Sequence, residues 1–330
     1  MARRSLGRLG RVLRAPVRIA AAVRRLMRVA VTGAGGRLGR ALIEALGDAP
    51  FTGPAGPIGW KREDFDLDAP ASIAALLDRD KPEVVVHTAA WTDVDGCARD
   101  PALAEKRNAD AVRTVADATA ARGIDLIHVS TNEVFDGSRM HDRGYLPDDP
   151  PSPGNPYGAS KLAGEIAATA AYEGAGARLA IIRTAWLYGP PGNDFPTKIL
   201  RAAERASGAG EPLKVVGDEY GSPTYSHDLA EAIVDLLASD DPDAAAGMHH
   251  LVNTGIASRA DWARALFQGL AVEVEIEEVP AATWERASTP PSWGVLQPSV
   301  PPSGEPMRPW RAALADYLPV LRRQRAAAVR

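Results

Sequence analysis

One octapeptide constrains this chain more than any other feature. Thr32-Gly33-Ala34-Gly35-Gly36-Arg37-Leu38-Gly39 follows a short β-branched run, Val29–Thr32, and opens a helical stretch, Leu38–Leu46. Gly33, Gly36 and Gly39 stand three residues apart. In that spacing the first glycine permits a tight turn, the second lets backbone approach a pyrophosphate, and the third lets the helix pack closely on the strand. The helix start then offers free N–H groups and the positive end of its dipole to the phosphates. Strand, glycine turn and helix in this order predict a dinucleotide cradle made by Gly33, Gly35, Gly36, Arg37, Leu38 and Gly39.

The same alternation continues. Val84–Thr88, Leu126–Ser130 and Ala180–Arg183 read as buried strands, with helical stretches at Ser72–Leu77, Pro101–Ala121 and Thr197–Ala206. Strands separated by helices predict an α/β fold, a Rossmann-type doubly wound parallel sheet. Beyond Gly210 the elements shorten, and proline accumulates over Pro280–Pro309, as expected of a smaller, interleaved α/β substrate-binding domain. The expected division gives 28–183, with a return segment near 222–255, to the cofactor, and 184–221 with 256–330 to the substrate.

Composition excludes several classes. The net charge of −4 conceals a cationic leader, 1–27, with eight arginines and no acid; without those eight charges the chain carries −12. The leader is read as a disordered tail, or as a stretch ahead of a start at Met27. An acidic body argues against nucleic-acid binding. No apolar run reaches the roughly 18 residues of a membrane-spanning helix. One cysteine excludes a disulfide framework and a cysteine-rich zinc site, and fits a reducing, cytoplasmic compartment.

A NAD-binding unit expects an acid at the end of its second strand. Here Ile58-Gly59-Trp60 runs into Lys61-Arg62, cations suited to a 2′-phosphate, so NADPH is favoured and NADH remains an alternative. Asp66, followed by Leu67, is placed to accept from the adenine amino group. Farther on, Asn155-Pro156-Tyr157-Gly158-Ala159-Ser160-Lys161 sets Tyr157 and Lys161 on one helix face. A free tyrosine, with a pKa near 10, exchanges protons poorly at neutral pH, and a neighbouring cation favours its phenolate. Ser130-Thr131-Asn132 ends a strand upstream, at the carboxyl edge where ligands bind, and is placed to supply a hydroxyl that hydrogen-bonds the substrate oxygen.

These motifs, with Ala89-Ala90-Trp91-Thr92-Asp93-Val94-Asp95, Ser130–Gly137, Arg183–Gly189, Gly192–Phe195 and Gly221–Thr224, resemble the extended short-chain dehydrogenase/reductases. More narrowly they resemble the dTDP-4-dehydrorhamnose reductase family, from about Met27 to Leu318. The resemblance implies hydride transfer to C4 of a nucleotide-linked 4-keto-6-deoxy sugar in dTDP-rhamnose biosynthesis. Tyr157 would protonate the alkoxide, Lys161 would tune it and hold the nicotinamide ribose, and Thr131 would orient the carbonyl. Ala89, Ala90, Trp91 and Asn108 would border the cofactor; Thr92, Asn132, Glu133 and Trp186 would face the substrate. A homodimer is compatible with the resemblance.

Three departures stand out. The family has Thr-Asp-Tyr where this chain has Thr131-Asn132-Glu133, and Asn132 lacks the acid that related dehydratases use. Ala41 replaces the acid through which some members hold a bridging metal, so no metal is expected. A late Arg-Pro motif is reduced to Thr289-Pro290-Pro291-Ser292-Trp293. Among other residues, His87 and His128 read as satisfied core histidines, His249-His250 as a poor chelating pair, Cys97 as inert, Glu219 as part of a solvent-exposed turn, and Ser258 as a helix cap. An epimerase of the same superfamily and a catalytically silent NADP-binding regulator are the alternatives. The first would retain its nicotinamide; the second would be expected to have eroded Tyr157 or Lys161.

Overall fold

The computed structural model describes residues 26–139 and 143–328; the cationic leader, through residue 25, lies outside the described residues. In chain order the cofactor half comprises β1 (Val29–Thr32), α1 (Arg37–Gly47), β2 (Ile58–Trp60), α2 (Ile73–Asp80), β3 (Val84–His87), α3 (Val94–Arg99), α4 (Pro101–Glu105), α5 (Ala111–Ala120), β4 (Asp125–Thr131), α6 (Pro156–Tyr172) and β5 (Leu179–Thr184). There follow β6 (Leu187–Tyr188), α7 (Phe195–Ala209), β7 (Leu213–Val216), β8 (Tyr220–Gly221), β9 (Thr224–Tyr225), α8 (Ser226–Leu237), β10 (Gly247–His250), β11 (Ala257–Ser258), α9 (Arg259–Leu270), β12 (Ile276–Val279) and α10 (Trp310–Ala328).

Six strands form one parallel sheet in the order β2-β1-β3-β4-β5-β10. Strand periodicity divides its apolar residues between two faces. Val29, Val31, Val84, Val86 and Ile127 pack with Leu42 and Leu46 of α1 and Leu229 and Ile233 of α8. Ala30, Val85 and Leu126 pack with Leu76 and Leu77 of α2, Val112 and Val115 of α5, and Ala168 of α6. A second core joins Ile199, Leu200, Trp262, Leu266, Trp310 and Tyr317 from α7, α9 and α10. Strand order reverses between β1 and β3, so the crevice opens beyond Thr32 and His87.

Helix α6 approaches the sheet edge at backbone distance. A side chain on Gly158 would overlap the Glu133 carbonyl, and one on Gly164 would overlap that of Asn108. Arg183 on β5 meets Glu165 of α6 through two hydrogen bonds, 3.0 and 2.7 Å, with both side chains almost wholly buried. The stretch Pro101–Ala121, expected as one helix, is broken: α4 and α5 are joined by a π-helical turn, Lys106–Asp110. That turn aims the Asn108 side chain at the loop after β3, a long-range demand that local propensity does not encode. No helix among the described residues is long and apolar enough to cross a membrane.

Burial holds His87 and His250 neutral, both pushed down to about 3, and lowers His128 well below the usual range. The unfolded chain binds protons at these histidines below about pH 6.5, and the folded chain does not. Stability is therefore expected to hold above pH 6.5 and to fall between there and about pH 3. Each of these histidines contributes about 1.4 kcal/mol per pH unit in that window. Urea unfolding midpoints at pH 7 and pH 5 check this; equal midpoints would contradict it.

Candidate active site

The cradle occupies the β1–α1 turn at the switch point. A side chain on Gly39 would overlap the Gly33 carbonyl and come within 2.8 Å of Ala34 Cα, so only glycine lets α1 start here. Gly35, by contrast, is exposed, and its missing side chain would meet no protein atom. Gly36 caps α1 without a side-chain hydrogen bond. The first-turn N–H groups therefore have no side-chain acceptor, and the bare cradle fits a pyrophosphate. Leu38 points into the core. Arg37 is used differently: its guanidinium donates to the carbonyls of Gly189 and Gly192, at 3.0 and 2.7 Å, tying the cradle to the loop after β6.

Lys61 and Arg62 stand exposed just beyond β2. Arg62 pairs with Asp66 at 3.6 Å, and Leu67 packs on the core beneath. Ala89, Ala90, Trp91 and Thr92 form the loop after β3. Thr32 Oγ1 accepts from the N–H groups of Thr88 and Ala89, at 3.2 and 3.3 Å. Asn108 clamps Trp91 by accepting from its N–H at 2.8 Å and donating to its carbonyl at 2.9 Å, and it also donates to Ser160 Oγ on α6 at 3.1 Å. Asn108 thus binds the loop to the helix that carries Tyr157. Thr92 is exposed.

Asn155 caps α6 by accepting from Gly158 N–H at 2.9 Å, which sets Tyr157 in the first turn. Tyr157 is buried, with the Thr131 side chain beside its phenol. Burial raises the phenol above its usual range, the Glu133 carboxylate adds to this, and the Thr131 side chain opposes it. The expected lowering of the phenol by a neighbouring cation is not what the geometry produces. Lys161 Nζ donates to Val129 O at 2.8 Å and lies 3.5 Å from His128 Nε2, both on β4. Burial pulls its own pKa down to about 8.

On the substrate side Asn132 is spent internally: Nδ2 donates to the Gly294 carbonyl at 3.1 Å, holding the 289–296 loop against the end of β4. Glu133 is buried, accepts from Asn155 Nδ2 at 2.6 Å, and is raised above the usual carboxylate range by burial. Trp186 adopts a left-handed backbone (φ 44°), a conformation that costs of order 1–3 kcal/mol unless its surroundings hold it. Its indole lies between the Arg259 guanidinium, 3.6 Å from the ring centre, and Trp262, 5.8 Å away.

Two expectations need correction here. Glu219 is not in a solvent-exposed turn: it is 2% exposed and paired with Arg286 and Arg259. Acidic turn residues are ordinarily solvated, and the two arginines that bury this one come from distant segments. His87 and His128 are core residues but not satisfied ones, since among the described residues His87 Nε2 and His128 Nδ1 have no hydrogen-bond partner. Arg286 supplies a cation three residues before Thr289, which stands in the degraded Arg-Pro motif. Arg259 and Arg286 were not legible as site residues, because neither falls in a motif. Ser258 does cap α9, in a capping box with Asp261.

A pyrophosphate cradle at the switch point of a parallel sheet, with a buried Tyr-Lys pair and a strand-end threonine one strand away, is the arrangement of the extended short-chain dehydrogenase/reductases, NAD(P)-dependent oxidoreductases. Known proteins narrow the class. Residues 27–323 match the RmlD substrate binding domain family, and the chain belongs to it. It is 37% identical over 297 residues to a dTDP-4-dehydrorhamnose reductase of Mycobacterium tuberculosis, covering 88% of this chain and 92% of that one. It is 34% identical over 294 residues to a dTDP-4-keto-6-deoxy-D-glucose reductase of Streptomyces niveus, covering 88% and 96%. Among solved structures, the dTDP-4-dehydrorhamnose reductase of Bacillus anthracis in complex with NADP superposes with a TM-score of 0.79 at 30% identity, over 88% of this chain and 98% of that one.

The cradle geometry separates two glycine substitutions. Gly39→Ala is expected to cost about 1–3 kcal/mol of stability through overpacking. Gly35→Val should leave the unfolding midpoint unchanged and weaken NADPH binding at least about tenfold, or about 1.4 kcal/mol. Denaturant titration and cofactor fluorescence check the pair; a Gly35→Val protein binding NADPH like its parent would place the phosphates elsewhere.

Proposed function

We propose that this chain uses NADPH to reduce the C4 ketone of a nucleotide-linked 4-keto-6-deoxy sugar; its relatives include a dTDP-4-dehydrorhamnose reductase and a dTDP-4-keto-6-deoxy-D-glucose reductase. The observation that carries this reading is the buried, protonated Tyr157, set beside Thr131 at the carboxyl edge of the sheet next to the cradle. When bound, the cofactor supplies a hydride to the carbonyl carbon. Thr131 donates to the carbonyl oxygen and orients it. Tyr157 gives its phenolic proton to that oxygen as charge develops there, which completes the alcohol. Burial keeps the phenol protonated in the resting site but makes it a weaker acid, so its proton moves only as the more basic alkoxide develops. Lys161, brought to about 8 by burial, has two donors directed into β4, and its third reaches for the nicotinamide ribose.

In this reading Lys61 and Arg62 meet the 2′-phosphate, Asp66 and Leu67 border the adenine, and Ala89, Ala90 and Trp91 form the cofactor's far wall. NADH is the weaker alternative, since no acid stands at the end of β2. Trp186, Thr92 and Glu133 line the sugar side, with Asn132 acting through the loop it holds. The six-stranded sheet with its two apolar faces serves the cofactor, and the separate core of α7, α9 and α10 serves the sugar nucleotide. The reaction is assigned to the cytoplasm, in keeping with a lone buried cysteine and an NADPH donor.

Tyr157→Phe tests the assignment of the acid. The variant is expected to bind NADPH like its parent and to lose turnover of dTDP-4-keto-6-deoxysugars by about 100-fold or more, the range over which positioned acids act. NADPH oxidation followed against a panel of such sugars measures this. Turnover at the parent rate would mean that another group supplies the proton.

A further inference from the structure

A lysine ammonium has three N–H donors and no acceptor. Two donors of Lys161 are directed into β4: toward Val129 O at 2.8 Å and toward His128 Nε2 at 3.5 Å. His128 belongs to a polar row that crosses the sheet in register, with Thr32 of β1 opposite His87 of β3, and His87 opposite His128 of β4. Thr32 Oγ1 accepts from Thr88 N–H and Ala89 N–H, which occupies its lone pairs. Its proton therefore goes to His87 Nδ1, 2.9 Å away, which fixes the His87 proton on Nε2. The two imidazoles then stack, with centroids 5.6 Å apart and planes at 22°, so His87 props the His128 ring from the side.

This row is costly. Each buried, unpaired ring nitrogen forgoes about 1–3 kcal/mol, and the row leaves two of them, His87 Nε2 and His128 Nδ1. Two apolar side chains would pack there without that loss. What the two histidines supply that apolar side chains could not is an acceptor for the Thr32 hydroxyl and an acceptor for Lys161.

We propose that His128 is a positioning residue for Lys161. Its neutral ring, propped by His87, accepts from Nζ and leaves the third N–H for the cofactor. The inference rests on the reading of Lys161 as part of the catalytic machinery. The ionisable groups that face the ammonium are His128 on β4, His87 behind it on β3, and Tyr157 and Glu165 on its own helix. Glu165 supports the charge but is itself bound by Arg183. Burial and the Lys161 charge keep His128 unprotonated, so it stays an acceptor across the working pH range. Without it a buried ammonium loses one of its two partners, and its deprotonation becomes easier.

The test compares His128→Phe, His128→Asn and His128→Gln. In the first the acceptor is absent; in the second the amide is too short to reach Nζ; in the third a carbonyl reaches it. The parent should lose kcat/KM above about pH 8, as Lys161 deprotonates. Phe and Asn should move that limb down by about one pH unit, and Gln should restore it. The same displacement should appear without cofactor or substrate, in the Lys161 titration followed by the ¹³Cε resonance of labelled lysine. Should the Phe variant fail to fold, the Asn variant carries the measurement. An unmoved limb and an unmoved Lys161 titration in a folded Phe or Asn variant would overturn the proposal. Lys161→Met separates the two readings. If it turns over substrate like the parent, Lys161 is not catalytic; if it is inactive while the His128 variants titrate like the parent, only the role of His128 fails.

Discussion

The arrangement depends on an ammonium buried where a helix lies directly against the carboxyl edge of a parallel sheet. A charge taken out of water is expensive unless the protein replaces its hydrogen bonds. Lys161 receives that replacement from Val129 O and His128, which is possible only because α6 comes within backbone distance of its neighbours. Gly158 against Glu133 and Gly164 against Asn108 permit the approach. Once α6 is so placed, Tyr157 follows in its first turn, Asn155 caps the helix and grips Glu133, and Ser160 meets Asn108. Asn108 in turn fixes the loop on the cofactor side. One close helix–sheet contact thereby aligns groups contributed by β4, α6 and the loop after β3.

A second set of charges shapes the sugar side. Glu219 is buried between Arg259 and Arg286, and Arg259 lies on the Trp186 indole. Burial brings Arg259 down to about 10, with Glu219 and Glu133 supporting its charge. Buried pairs of this kind contribute little net stability relative to apolar packing, but removing one partner is costly. They place the Arg259 guanidinium over the Trp186 indole and set two cations against Glu133, where they oppose the upward push of burial on its carboxyl.

Much of the fold was legible in the sequence because its determinants are local. Glycine spacing after a strand, the short β-branched runs Val29–Thr32 and Val84–His87, and Tyr157 four residues before Lys161 each report a conformation within a few residues. What was not legible depends on segments far apart in sequence. Glu219 looked solvated until Arg259 and Arg286 folded onto it. The hydrogen bond from Asn132 to the Gly294 carbonyl spans 162 residues, and no motif near Asn132 signals it. The π turn at Lys106–Asp110 exists to aim Asn108 at Trp91, which no helix propensity signals. The effect of Lys161 on Tyr157 was likewise misjudged, since helix spacing puts two residues on one face but does not say where an ammonium spends its donors.

The central claim is that a hydride reaches the sugar's C4 while Tyr157 protonates its oxygen. The most direct measurement is to supply NADPH deuterated at C4 of the nicotinamide with a dTDP-4-keto-6-deoxysugar and locate the label by NMR. Deuterium at C4 of the product, with one NADPH consumed per alcohol formed, is the predicted result. Product formed without label at C4, or a stereocentre inverted with no NADPH consumed, would contradict it.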